Sequence, residues 1–243
     1  MKPIFLSIII PAHNEENYLP KTLAQVFSFL EAENYTAEII VVENGSTDQT
    51  YSLAQDLTHQ HSNLRVLRNE KAGKGAAVQR GMREAQGQYR IFCDADLSMP
   101  IEEIRRFLPP HLDKDIVIAS REIEGAVRYN EPYHRHLTGR IFNFLIRLLA
   151  LPDLHDTQCG FKGFRADVAE DLFQHQSIEG WAFDVEILYI AKARGYEVVE
   201  LPIPWYYNNE SKISVLHDSL RMFLDLLKIR RNARQGLYAP KKV

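Results

Sequence analysis

Short apolar runs rich in β-branched residues alternate along the first half of the chain with longer segments whose apolar positions recur every three to four residues. Residues 5–10 are apolar apart from Ser7 and read as a buried strand. Residues 16–30 follow as a helix, with Leu19, Leu23, Val26, Phe27 and Leu30 on one face. The alternation then repeats, with strands at 38–42, 64–67, 90–93 and 115–119. Helices fall between them at 48–59, capped by Thr47, at 75–85 and at 101–108. Continuous apolar strands separated by helices predict an α/β doubly wound, mostly parallel sheet covered on both faces.

Beyond about residue 120 the pattern loosens. Residues 121–136 are polar and aperiodic and read as a loop carrying Arg121, Arg128, Tyr129, Tyr133, His134 and Arg135. Residues 137–151 form a helix with a wide apolar face (Ile141, Phe142, Phe144, Leu145, Leu148, Leu149) and Arg140 and Arg147 opposite. A helix at 181–193, a strand at 197–202 and a long amphipathic helix at 214–231 with a basic end complete the chain. No repeat, low-complexity segment or linker interrupts it, so a single domain over 1–243 is expected.

In open parallel sheets, ligands bind beyond the carboxyl ends of the strands. HNEE follows the first strand, ENGSTD the second, KAGKGAA the third and DADLS the fourth, so four polar clusters are expected along one sheet edge. Two of them decide the chemistry. Asp94 and Asp96 repel each other unless a cation lies between them and an anion. A hard divalent cation, Mg2+ or Mn2+, takes one or two carboxylates plus substrate phosphates. The segment Gly73-Lys74-Gly75 has the composition of a phosphate cradle but matches neither G-x-G-x-x-G nor a P-loop, which disfavours a nicotinamide dehydrogenase or an NTPase.

Composition narrows the class further. The 243 residues are 45% hydrophobic and 25% charged, ordinary for a globular protein, with a net charge of -3 that gives no general attraction to nucleic acid. Two cysteines make no disulfide framework, so a reducing, cytoplasmic setting is expected. The first apolar run breaks at Ser7 and Pro11 without a cleavage site and reads as a strand rather than a signal peptide. No apolar run reaches the roughly 18 residues of a membrane span, so membrane contact is expected to be peripheral.

Taken in order, IIIPAHNEE, VVENGSTDQT, NEKAGKGAAVQRG and DADLS resemble the nucleotide-sugar half of inverting GT-A glycosyltransferases of family 2. DTQCGFK (156–162), GWAFDVE (180–186) and ESKIS (210–214) are similar to segments of the polyprenyl-phosphate sugar transferases, which move glucose or mannose to dolichyl phosphate. The resemblance covers about residues 4–235. It implies a nucleotide-sugar half over about 1–120 and an acceptor half over about 121–235. It places Pro11, Ala12, His13, Glu15, Lys74, Asp94, Ala95 and Ser98 around the nucleotide sugar, with Asp94 and Asp96 as metal ligands. Glu43 and Asn44 stand where the family has D-D at the base, a departure that leaves the base open. Ser98 stands where mannose synthases carry Gln, which tilts the donor toward UDP-glucose over GDP-mannose. Arg121 and Arg135 match positions for the acceptor phosphate, and Lys212 one that approaches the donor diphosphate. Asp184 lies where relatives using hydroxyl acceptors place their base, whereas a polyprenyl phosphate is already anionic and needs cations more than a base. The rival readings are a mannosyl donor, a hydroxyl acceptor, or a nucleotide-sugar-binding module without catalysis.

Overall fold

The computed structural model describes residues 3–70, 72–208 and 215–239. Seven strands form one sheet, in the order β3, β2, β1, β4, β7, β5, β8. They are β1 (Leu6–Ala12), β2 (Ala37–Asn44), β3 (Leu64–Asn69), β4 (Tyr89–Cys93), β5 (Ile116–Ser120), β7 (Phe161–Arg165) and β8 (Val198–Pro202). Every residue of β1, and all but the first of β2 and β4, is buried, as continuous apolar strands in a sheet covered on both faces must be. Alternate residues serve opposite faces. Ile9, Ile40 and Phe92 join one core cluster, and Ile8, Ile39 and Ile91 the other.

The helices α1 (Leu19–Ala32), α2 (Thr50–Thr58) and α3 (Lys74–Glu84) link β1 to β4. The expected 48–59 helix starts later, and its cap is not Thr47. The Asp48 carboxylate accepts the Thr50 N–H at 3.0 Å, because a carboxylate two residues back reaches that amide better. The expected helix at 101–108 is a 3-10 turn (Ile101–Glu103) running into α4 (Ile104–Phe107).

The second half departs more from its expected pattern. The 121–136 loop contains β6 (Val127–Tyr129), which pairs in parallel with β9 (Pro204–Tyr206). It ends early, because α5 (Tyr133–Leu149) begins before Arg135. Strand β7 was not expected. It enters the sheet antiparallel between β4 and β5, with Phe92 and Ile118 beside Lys162. Helices α6 (Ala166–Phe173), α7 (Phe183–Ala193) and α8 (Val215–Arg234) follow. Met222, Leu226 and Ile229 of α8 face the core, while Leu220, Phe223, Leu224 and Leu227 face outward. Among the described residues, no helix is long and apolar enough to cross a membrane.

Candidate active site

The parallel register of β1 with β2 brings their carboxyl ends level, Ala12 beside Glu43, and the two following turns knit together. His13 Nδ1–H donates to the Asn44 carbonyl at 2.8 Å, the Asn14 N–H to Ser46 Oγ at 3.0 Å, and the Thr47 N–H to Asn14 Oδ1 at 2.8 Å. The Glu15 and Glu16 amides donate to Thr50 Oγ1 and Asp48 Oδ2 at 2.7 and 3.1 Å. Asn14 and Gly45 sit at φ 54° and 65°, the left-handed region that Asn and Gly tolerate best. Glu43 is fully buried, accepting the Ser46 N–H at 2.5 Å and the Arg68 guanidinium at 3.2 Å. Its carboxylate therefore closes the Gly45 turn. Beside it Asn44 Oδ1 is buried and finds no hydrogen-bond donor among the described residues.

The ends of β3 and β4 supply the charges. Lys74, at the start of α3, reaches Asp94 Oδ1 at 2.5 Å, and its ammonium lies 5.4 Å from the Trp181 ring centre. Burial works against that charge, but Asp94, then Asp184 and Asp96, hold the ammonium above its ordinary value. The Asp94 N–H donates to the Gly160 carbonyl at 3.1 Å. A Cβ on Gly160 would fall 1.8 Å from Asp94 Oδ2, so the carboxylate occupies the place of the missing side chain. Asp96 is held by its own turn: the Ser98 N–H and hydroxyl donate to its two oxygens at 3.1 and 2.9 Å. Burial, and after it the Asp94 charge, pushes the Asp96 carboxyl up, while Ser98 pulls it back. Ser98 thus acts on Asp96. The glycines flanking Lys74 serve packing. A Cβ on Gly75 would lie 2.7 Å from both the Ile178 carbonyl and Phe183 Cβ, and Gln176 donates to the Gly75 carbonyl at 2.9 Å.

From the other side come groups carried by β7 and α7. Lys162 is 1% exposed and donates to Asp184 Oδ1 and to the Cys159 carbonyl, both at 2.6 Å. Asp184 stands in the first turn of α7, where the helix dipole favours a carboxylate. Burial pushes its carboxyl up, against Lys162 and then Lys74. Arg121 grips Asp156 through Nε and Nη2 at 2.7 and 3.0 Å, and its backbone N–H adds a third contact at 2.9 Å. Burial works against the Asp156 charge, yet Arg121 pulls that carboxyl down to about 2. The guanidinium also lies 5.3 Å from the Trp205 ring centre, and Arg128 lies 5.8 Å from the same ring. One turn further along α7, the buried Glu186 accepts the Ser177 and Ile178 amides and the Tyr238 hydroxyl at 2.9, 2.8 and 2.6 Å.

Two acidic side chains one residue apart, backed by a lysine at the carboxyl end of a parallel sheet, suit a divalent cation shared with a diphosphate. Among the described residues no group of three or more His, Cys, Asp or Glu side chains converges. Residues 7–173 match the family described as glycosyl transferase family 2. The chain belongs to glycosyl transferase family 2. Among its curated relatives, a dolichyl-phosphate beta-glucosyltransferase of Drosophila melanogaster is 36% identical over 240 residues, spanning 92% of this chain and 74% of the fly protein. The human dolichyl-phosphate beta-glucosyltransferase is 33% identical, over 96% of this chain and 77% of that one. Among solved structures, glucosyl-3-phosphoglycerate synthase from Mycobacterium tuberculosis, in complex with Mn2+, UDP-glucose and phosphoglyceric acid, aligns with a TM-score of 0.66. It shares 18% identity over 98% of this chain and 81% of that one, a likeness of fold. The architecture is GT-A, and the chain is a glycosyltransferase.

Of the residues singled out by sequence, those of β1, β2, α3 and β4 line the carboxyl edge of the transferase's sheet, and Asp184 meets them from α7. Arg121 is mostly enclosed by Asp156 and Trp205. Arg135 lies in the first turn of α5, and its side chain, like the whole of Lys212, lies outside the described residues. Sequence reasoning left Lys162, Gly160, Trp181 and Asp156 without roles. The signal for Lys162 was present: a lone cation inside the apolar run FKGF has no place in a buried strand unless something pairs with it.

Proposed function

We propose that this transferase moves glucose from UDP-glucose to a polyprenyl phosphate of the dolichyl type, inverting the anomeric carbon. The observation that carries the reading is a likeness to dolichyl-phosphate beta-glucosyltransferases that runs through both halves of the site, from the β1 end to α7. The donor half and the acceptor half act as one unit, since a single sheet passes through both.

Asp94 and Asp96 would hold Mg2+ or Mn2+, which when bound neutralises charge on the leaving diphosphate. Lys74 brings a second positive charge beside Asp94, and Lys212 is assigned to the same diphosphate by resemblance. Pro11, Ala12, His13, Glu15 and Ala95 are assigned to the nucleotide by the family resemblance. Glu43 serves by fixing the turn, and Asn44 stands beside it at the end of the same strand. Ser98 orients Asp96. An acceptor phosphate oxygen attacks the sugar's anomeric carbon from the face opposite the diphosphate. The new C–O bond forms as the old one breaks, and the electron pair leaves with the nucleotide. Because that oxygen is already anionic, Asp184 orients sugar and acceptor rather than removing a proton. Arg121 and Arg135 hold the acceptor phosphate.

A lipid acceptor requires a membrane surface. Phe144 and Leu148 of α5 are 64% and 67% exposed, with Arg140 and Arg147 exposed on the same helix, which packs against α8. This apolar and basic combination fits a helix lying in the headgroup region. The test is a panel of UDP- and GDP-sugars with Mn2+ and a short-chain prenyl phosphate, assayed for lipid-linked sugar. Glucose from UDP-glucose should dominate. Preference for GDP-mannose, or no metal-dependent donor binding, would overturn the reading. Asp184→Asn should leave residual transfer, whereas complete loss would favour a hydroxyl acceptor.

A further inference from the structure

A charged lysine in the middle of a buried strand is the least expected residue in the molecule. The Lys162 side chain stands on the face of β7 between Phe92 and Ile118, with its ammonium 5.2 Å from the Phe92 ring centre. Stability does not explain it, because a buried ion pair is commonly matched or bettered by apolar residues of similar volume. Its two hydrogen bonds point instead to what it holds. One fixes the Asp184 carboxylate; the other fixes the Cys159 carbonyl. The next residue along, Gly160, is the one whose carbonyl takes the Asp94 N–H and whose bare Cα makes room for the Asp94 carboxylate. One ammonium therefore ties the α7 carboxylate to the peptide that backs the metal-binding carboxylate.

We infer that Lys162 is a positioning residue for transfer: from beneath the site it aims Asp184 and sets its spacing from Asp94. The inference rests on the proposed role of Asp184 in orienting sugar and acceptor. Lys162 itself touches neither, because it is enclosed by the sheet and α7.

The test compares Lys162→Met, Asp184→Asn and the double variant Lys162→Met/Asp184→Asn. Each is measured for kcat and KM with UDP-glucose and a short-chain prenyl phosphate, and for Mn2+-dependent UDP binding by calorimetry. Lys162→Met should lower kcat about 10²-fold, the scale of a misplaced reacting group, while the UDP dissociation constant changes less than about threefold. The losses in the double variant should fall well short of the product of the two single losses, since both changes remove the Lys162–Asp184 contact. The double variant leaves no unpaired buried charge, so it remains a measurable protein even where Lys162→Met folds poorly. Wild-type kcat in Lys162→Met, or multiplied losses in the double variant, would overturn the inference. So would a double variant with full activity. Absence of transfer by the unaltered enzyme would instead sink the proposed function, which keeps the two failures apart.

Discussion

The acidic groups of the two halves differ in how far along the chain their characteristic partners lie. Along the carboxyl ends of β2 and β4 the carboxylates fold back on their own turns: Glu43 takes the Ser46 amide, Asp48 the Thr50 amide and Asp96 the Ser98 amide. In the second half the partners are remote. Asp184 finds Lys162 22 residues away, Asp156 finds Arg121 at 35, and Glu186 finds Tyr238 at 52. The first arrangement lets each turn hold its own carboxylate, with Arg68 and Lys74 adding a distant cation to Glu43 and to Asp94. The second buries charge and relies on the complete fold to pair it. Under the proposed function a donor diphosphate and a cation would meet the former, and an acceptor would be fixed by the latter, because rigidity there comes from desolvated, paired groups.

The largest effect should come from opening the donor side. Asp96→Asn removes a charge from a half-buried turn that holds its own carboxylate, and transfer should fall by about 10³-fold, the scale of losing a preorganised electrostatic group, with an unchanged melting temperature. A radiochemical assay of lipid-linked glucose beside thermal denaturation checks both halves of that statement. A melting temperature lowered as far as that of a core variant would contradict the local character assigned to this side.

Gly160→Ala sharpens the contrast without altering charge. The new methyl group would collide with the Asp94 carboxylate, which can swing toward solvent, so the fold should survive while Mn2+-dependent UDP binding weakens about tenfold or more. Calorimetry reads this directly, and wild-type affinity would show that Asp94 has another productive position.

On the acceptor side stability should respond first. Asp156→Ala leaves Arg121 buried without its partner, at a cost of about 3 kcal/mol at neutral pH, measurable by urea denaturation. The pH dependence carries a definite sign. Asp156 titrates at about 2 when folded, below its unfolded value near 3.9, so the pairing is fully present above the unfolded value. That contribution is lost as pH falls from about 4 toward about 2, and the variant should lack this part of the acid limb. An equal acid slope in both proteins would remove Asp156 as its source.

The smallest effect on transfer should come from the exposed side chains of α5. Phe144→Ser with Leu148→Ser should change stability by no more than about 0.5 kcal/mol, since both side chains already face out. Sedimentation with anionic vesicles should nevertheless drop several-fold. Unchanged vesicle binding would move the membrane contact elsewhere.

Much of this protein is written in local pattern. The strands 5–10, 38–42, 90–93 and 115–119 stand within a few residues of β1, β2, β4 and β5, because uninterrupted apolar β-branched runs have one good place, the interior of a parallel sheet. Once those strands are parallel, HNEE, ENGSTD, KAGKG and DADLS must share an edge, so Asp94, Asp96 and Lys74 could be grouped from sequence alone. Tertiary structure decided the rest. Strand β7 was missed because FKGFR carries two cations and a glycine, and only the sheet supplies the partners that let Lys162 sit inside it. Arg121 read as a free loop cation because Asp156 lies far along the chain. Gly160 mattered only once β7 ran antiparallel to β4 and brought its bare Cα against Asp94. Periodicity encodes what a segment prefers to bury. It does not encode which distant charge will neutralise one that has already been buried.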